Sequence, residues 1–250
     1  MEEIFYHELL MYEFGFAALV LVILFFVSAP YGKFIRKGWG LTIPAKFAWF
    51  IMEMPAVLVI LVFFMLAKGW QNPVQLVFII LWQSHYLFRT LVYPFIMGGK
   101  NKPYPVLLVL FAILFNILNG AVNGYFIFVQ KSYDLSWFMS LPFILGFGLY
   151  IFGFLVNKQS DFILRALRKE SEEYQIPTGG FFKWISNPHY FGEFIQWSGW
   201  AVMTWSLAGL AFAAFTFGNL FPRAVSNHKW YKEHFPDYPE DRKAMFPFMI

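Results

Sequence analysis

Long apolar runs, free or nearly free of charge, recur along the chain at 14–32, 47–67, 74–97, 105–129, 135–156 and 194–222. A hydrocarbon layer needs roughly 20 such residues per crossing helix, and with no water to satisfy exposed peptide groups it admits only helices or closed barrels. Every run but the last is about one crossing long. The last is too long for one, and Thr204-Trp205-Ser206, its most polar point, reads as a tight turn between helices at 184–204 and 205–222. The expectation is an all-α, polytopic integral membrane protein of seven transmembrane helices, a single membrane-embedded domain over 1–250. With 59% hydrophobic and 14% charged residues, the chain lies far from a soluble domain, whose charged share is about a quarter.

Charge sets the expected orientation. With the N-terminus outside, all 19 lysines and arginines fall on inner segments except Lys68 and Lys131 in outer loops and Arg89 within the third run. This is the asymmetry of the positive-inside rule. It leaves the C-terminus cytosolic, with inner loops and tail forming a cap. The net charge of +4 therefore reports topology and gives no ground for a nucleic-acid partner. The first residues lack a basic segment and a small-residue cleavage site, so span one is expected to be a retained helix, and without an ionisable group it reads as scaffold. Cysteine is absent, which excludes disulfides and thiolate chemistry. Scattered histidines without ligand spacing leave no metal site to expect. A monomer in a bacterial inner membrane or the endoplasmic reticulum fits this pattern.

Ionisable groups inside the apolar runs need a reason. Gln83, Tyr86, Arg89, Thr90 and Tyr93 share one helical face. An arginine at this depth marks a functional site by default, the plainer alternative being that it snorkels from the helix end. Glu53 precedes Pro55, which kinks a helix and frees a carbonyl. It reads as an acid in a pocket, or as a structural partner of Arg89 or His85. Asn116, Asn119 and Asn123 are helix-bridging or ligand-contacting, and Gly146, Gly148 and Gly153 suit close helix packing.

The inner segments collect cations and hydrogen-bonding groups. Asp161, Arg165 and Arg168 fall at helical spacing. An i,i+4 ion pair explains the first two, and a bound nucleotide phosphate explains all three. Ser186-Asn187-Pro188-His189 leads into a helix bearing Glu193, and the tail adds Arg223, Asn227, His228, Lys229 and Tyr231. Gly98-Gly99-Lys100-Asn101-Lys102 is a weaker phosphate signal. No G-x-G-x-x-G or P-loop is present, so neither device would hold a nucleotide.

These residues resemble the steroid 5α-reductase (3-oxo-5α-steroid 4-dehydrogenase) family over nearly the whole chain. The resemblance is carried by the run 48–55 ending in Met52-Glu53-Met54-Pro55, by His85-Tyr86-Leu87-Phe88-Arg89-Thr90-Leu91-Val92-Tyr93 and by Lys102-Pro103-Tyr104-Pro105. Segment 160–169, Tyr174-Gln175-Ile176-Pro177-Thr178-Gly179-Gly180, Phe191-Gly192-Glu193 and tail segments 230–231, 237–239 and 242–244 complete it. The resemblance implies a membrane oxidoreductase that reduces the 4,5 double bond of a 3-oxo-4-ene steroid with NADPH. It puts the substrate carbonyl near Glu53 and Tyr86, with Met52, Arg89 and Tyr93 in the substrate pocket. It assigns cofactor contacts to Lys102, Asn157, Asp161, Arg168, Tyr174, His189, Glu193, Arg223, Asn227 and Tyr231, with Arg168 the first choice for phosphate. Met52 replaces a frequent Gln, His189 an Asn and Asn227 a His. The piece 187–193 alone is also similar to membrane sterol reductases and isoprenylcysteine methyltransferases.

Enone reduction needs hydride at the β-carbon while charge grows on the carbonyl oxygen. A donor aimed at that oxygen is worth about 3–4 kcal/mol, and either the Tyr86 phenol or a protonated Glu53 supplies one. The α-carbon proton is expected from water. A different lipidic enone, enoyl or polyprenoid substrate, an S-adenosylmethionine-dependent membrane methyltransferase and a non-enzymatic lipid-binding protein are the competing readings.

Overall fold

The computed structural model describes residues 3–170 and 173–249, apart from the side chains of Lys169 and Glu170. Ser171 and Glu172 of the polar inner stretch, and the Lys169 side chain counted among the inner cations, lie outside the described residues.

Helix dominates. The elements are α1 (Glu3–Phe26), α2 (Ala45–Leu66), α3 (Pro73–Leu87), α4 (Tyr93–Ile96), α5 (Val106–Tyr125), α6 (Leu141–Glu170), α7 (Pro188–Thr204) and α8 (Leu207–His234). A π segment, Phe88–Val92, joins α3 to α4 without a break, and a second, Phe126–Gln130, extends α5. Strands β1 (Thr42–Pro44) and β2 (Pro103–Pro105) pair antiparallel and tie together the loops that precede α2 and α5. Five segments are long and apolar enough to cross a membrane: Glu3–Phe26, Ala45–Leu66, Pro73–Ile96, Val106–Gln130 and Leu141–Arg168. Their outer faces carry exposed Leu19, Phe26, Leu66 and Leu114, as lipid-facing positions should.

The helices start and stop for local reasons. Asn72 caps α3 by accepting from the amides of Val74 and Gln75, the usual service of an Asn N-cap. Between α7 and α8 the backbone turns at Trp205 (φ 48°), and Ser206 then caps α8 by accepting from Gly209. Helices α6 and α7 approach most closely where glycines remove side chains. A Cβ on Gly153 would sit 2.3 Å from the Gln196 nitrogen, and one on Gly199 2.4 Å from that of Tyr150. Gly146 packs likewise, against Met203, whereas Gly148 faces open space. Trp82, Trp197 and Trp200 are fully buried with Phe78 and Phe212 at the centre of the bundle.

Three expectations change. Helix α1 begins at Glu3, so it contains Glu13, and that carboxyl is fully buried. The first span therefore does carry an ionisable group. Leu135–Met139 is a 3-10 turn outside the fifth span. That span, α6, instead continues unbroken through Asp161 and Arg168, because its polar C-terminal end faces a cavity and needs no chain break.

Candidate functional site

Pro55 has no amide hydrogen, and around it α2 is held by side chains from its neighbours. Asn116 donates to the Met52 carbonyl (2.6 Å), Trp82 to that of Ala56 (2.9 Å) and Gln83 to that of Val57 (2.9 Å). Met52 itself is buried against Tyr104 and Val109. This bracing presents Glu53 to the π segment of the next helix, a local widening of a kind that recurs at functional sites. Arg89 lies on it. Its guanidinium bonds Glu53 (3.2 Å) and reaches Glu193 on α7 (3.4 Å), while lying over the rings of Trp49 (4.7 Å) and Tyr93 (5.9 Å). With side chains only 15%, 9% and 17% exposed, the three groups form an inward-facing ion cluster, and Arg89 does not snorkel. Glu193 also accepts from Asn157 (3.5 Å), which donates to the His189 carbonyl (3.0 Å).

Tyr86 is buried beside Trp82 and Trp197, with ring centroids 5.0 and 5.7 Å away. Among the described residues no hydrogen bond joins it to Glu53. His85 bonds Gln196 (3.1 Å) and so ties α3 to α7 rather than pairing with Glu53.

Above this cluster opens a cavity of about 640 Å³ lined by α6, α7, α8 and the loop after α1. Tyr93, Asp161, Arg168, Tyr174, His189, Arg223, Asn227 and Tyr231 all line it. Asn157 and Glu193 are absent from its lining and join it to Arg89. Lys102 is exposed, 5.6 Å from the Tyr174 ring, and does not line it. Arg168 stacks on Tyr174 at 3.6 Å and donates to the Glu173 carbonyl. Arg223 donates to the Tyr190 hydroxyl (2.9 Å) and lies over Tyr31 (5.1 Å). The local pairing of Asp161 with Arg165 does not form among the described residues, and both face the cavity. Asn227 is engaged differently, donating to Asn187 (3.0 Å), which in turn holds the Ala224 and Ala244 carbonyls.

Sequence reasoning missed Tyr31, Lys33, Lys158 and Tyr190, all on the cavity wall. Lys33 sits 4.1 Å from the Trp230 ring and 4.5 Å from that of Tyr231. Burial, helped by nearby Arg168, brings its ammonium down to about 7. The available signal was Pro30-Tyr31-Gly32-Lys33, a turn whose Gly32 has a φ of 63°, a conformation glycine favours.

The chain is similar to known proteins over nearly its full length. The profile of the 3-oxo-5-alpha-steroid 4-dehydrogenases matches residues 102–250. The chain is 42% identical to the steroid 5-alpha-reductase DET2 of Arabidopsis thaliana over 238 residues, covering 91% of this chain and 90% of that one. It is 39% identical to the 3-oxo-5-alpha-steroid 4-dehydrogenase 1 of Bos taurus (92% and 91% covered) and 37% identical to that of Homo sapiens (89% and 87%). Relatives this similar over nearly their full length establish that the chain belongs to the 3-oxo-5-alpha-steroid 4-dehydrogenase family of oxidoreductases.

Proposed function

We propose that the protein reduces the 4,5 double bond of 3-oxo-4-ene steroids, using NADPH held in the inner cavity and a substrate carbonyl held at Glu53 and Tyr86. The observation that carries this reading is the ion cluster in which Arg89 joins Glu53 to Glu193, because it connects a membrane-buried acid directly to the residues beneath a cationic cavity.

The cavity's chemistry suits a phosphorylated dinucleotide. Lys33, Arg165, Arg168 and Arg223 stand on its wall, and a 2′-phosphate favours such side chains. Beneath them the Asn157 Oδ1 and His189 Nδ1 are buried without partners among the described residues, and such atoms call for a polar ligand or water. When bound, NADPH would supply the hydride for the β-carbon. Arg168 and Lys33 would hold its phosphate, Asp161 would accept from its hydroxyls, and Asn157 with Glu193 would orient its carboxamide. Tyr86 or protonated Glu53 donates to the carbonyl oxygen as charge develops there, and Arg89 fixes the Glu53 carboxyl in place. A water proton completes the reduction at the α-carbon. The aromatic interior gives the substrate an apolar bed.

In this reading α7 and α8 also cross the membrane, making seven spans with the N-terminus outside and the C-terminus in the cytosol. The protein acts as a monomer in the endoplasmic reticulum or a bacterial inner membrane. The test is to incubate purified protein with NADPH and a 3-oxo-4-ene steroid. A product two hydrogens heavier, formed only with NADPH, is expected. NADPH binding without any reduced steroid would contradict the substrate assignment.

A further inference from the structure

Glu13 is fully buried in α1, and neither of its carboxyl oxygens has a hydrogen-bond partner among the described residues. Such a group in an apolar interior calls for a partner that comes and goes, or for water. Asn119 on α5 presents the complementary anomaly. Its side chain is also fully buried, its oxygen accepts from Asn123 (2.8 Å), and its Nδ2 has no partner.

The ring contacts between the two helices bring these groups to one level. Tyr6 meets Tyr125 (5.4 Å) and Phe16 meets Phe115 (6.1 Å), so α1 and α5 run antiparallel. Glu13, on the buried stripe between Leu10 and Ala17, is thus level with the turn that carries Asn119. That turn is the next one outward from Asn116, which braces the carbonyl beside Glu53, about 4.5 Å further along the axis. Beside it, Phe16, Phe115 and Phe215 form an aromatic stack, with Phe215 at 5.7 Å from Phe16 and 3.4 Å from Phe115.

We propose that Glu13 and Asn119 form a distal polar anchor for the substrate, recognising an oxygen on the steroid ring farthest from the enone. A keto or hydroxyl oxygen there accepts from the Asn119 amide, and a hydroxyl also donates to the Glu13 carboxyl. This rests on the orientation proposed above, with the enone at Glu53 and Tyr86. The flat body of the substrate then lies against the rings of the aromatic stack, which must part to admit it. Glu13 is accordingly a specificity-determining residue, and it touches no reacting atom.

The test is a competition in one reaction mixture between a 3-oxo-4-ene steroid with a hydroxyl on its terminal ring and the same steroid lacking it. The product ratio reports relative kcat/KM whatever fraction of the protein is folded. The wild type is expected to favour the hydroxylated steroid by about tenfold or more, since rejecting a ligand that leaves buried polar groups unmatched is efficient. Glu13→Leu should lower the ratio severalfold, leaving only the preference due to Asn119, and Glu13→Gln, which keeps size and hydrogen bonding, should fall between. An even ratio in the wild type, or an unchanged preference in Glu13→Leu, would overturn the proposal. Reduction of neither steroid by the wild type would instead sink the functional reading, and the anchor with it.

Discussion

Arg89 and Glu53, on adjacent helices, pair at 3.2 Å, and the other terminal nitrogen of the same guanidinium reaches Glu193 at 3.4 Å. A planar fork can serve two carboxylates at once, which a lysine ammonium on its flexible stem cannot reproduce. Removing the cation leaves two mostly buried carboxyl groups facing each other. Breaking buried pairs of this kind costs about 3–5 kcal/mol. Arg89→Met is therefore expected to lower the melting temperature and abolish turnover. Arg89→Lys should recover most of the stability but little of the activity, as thermal melts beside NADPH-dependent turnover would reveal. Equal activity in Arg89→Lys would show that bridging the two carboxyls is dispensable.

Glu53→Gln keeps the size of the side chain and removes its charge and acidity. If Glu53 polarises the substrate carbonyl directly or through Tyr86, kcat should fall about 10²–10³-fold while NADPH still binds. Stopped-flow binding and steady-state rates on one preparation separate the two effects. A matching loss of NADPH affinity would place Glu53 in cofactor binding instead.

The helical framework was legible because uncharged runs of membrane length have few other uses, and the turn at Trp205 because Thr204 and Ser206 interrupt the longest of them. Glu13 misled the reading of span one. A carboxylate looks like a boundary, yet here it is buried within the helix. Likewise the fall in hydropathy at Asn157 looks like a helix end, although α6 continues while its polar face turns to the cavity. The pairing of Arg89 with Glu193 spans 104 positions, and no local spacing announces a contact between residues so far apart. Lys33 was hidden for a similar reason, since only the folded loop lays it on Trp230 and Tyr231.

Lys33 predicts a pH dependence. Its ammonium, brought down to about 7 by burial and by Arg168, is charged below that pH and neutral above it. Phosphate binding favours the charged form, so NADPH affinity should weaken as pH rises through about 7 and binding should take up a proton on the alkaline side. Replacing the amine by a guanidinium, which stays charged, should flatten the profile in Lys33→Arg. Calorimetric titrations in two buffers of different ionisation enthalpy would measure the uptake. A flat wild-type profile would remove Lys33 from phosphate binding.

Helices α6 and α7 position Asn157 and Glu193 through backbone contact. A Cβ on Gly192 would lie 2.5 Å from the Asn157 nitrogen, and neither backbone can yield without separating the helices. Gly192→Ala should thus destabilise the protein by about 1–3 kcal/mol and weaken NADPH binding. Gly148→Ala, at an open position on the same helix pair, should do neither. Melting curves of the two variants make the comparison.

The central claim is that hydride reaches the β-carbon of an enone whose carbonyl is held at Glu53 and Tyr86. Its most direct measurement uses NADPH deuterated at the transferred position, with a 3-oxo-4-ene steroid in ordinary water and the product's label located by mass spectrometry and NMR. The predicted result is one deuterium at the former β-carbon on the 5α face and solvent hydrogen at the α-carbon, with product formation strongly reduced in Glu53→Gln and Tyr86→Phe. Deuterium on the carbonyl carbon, giving an alcohol, or wild-type rates in both variants would contradict it.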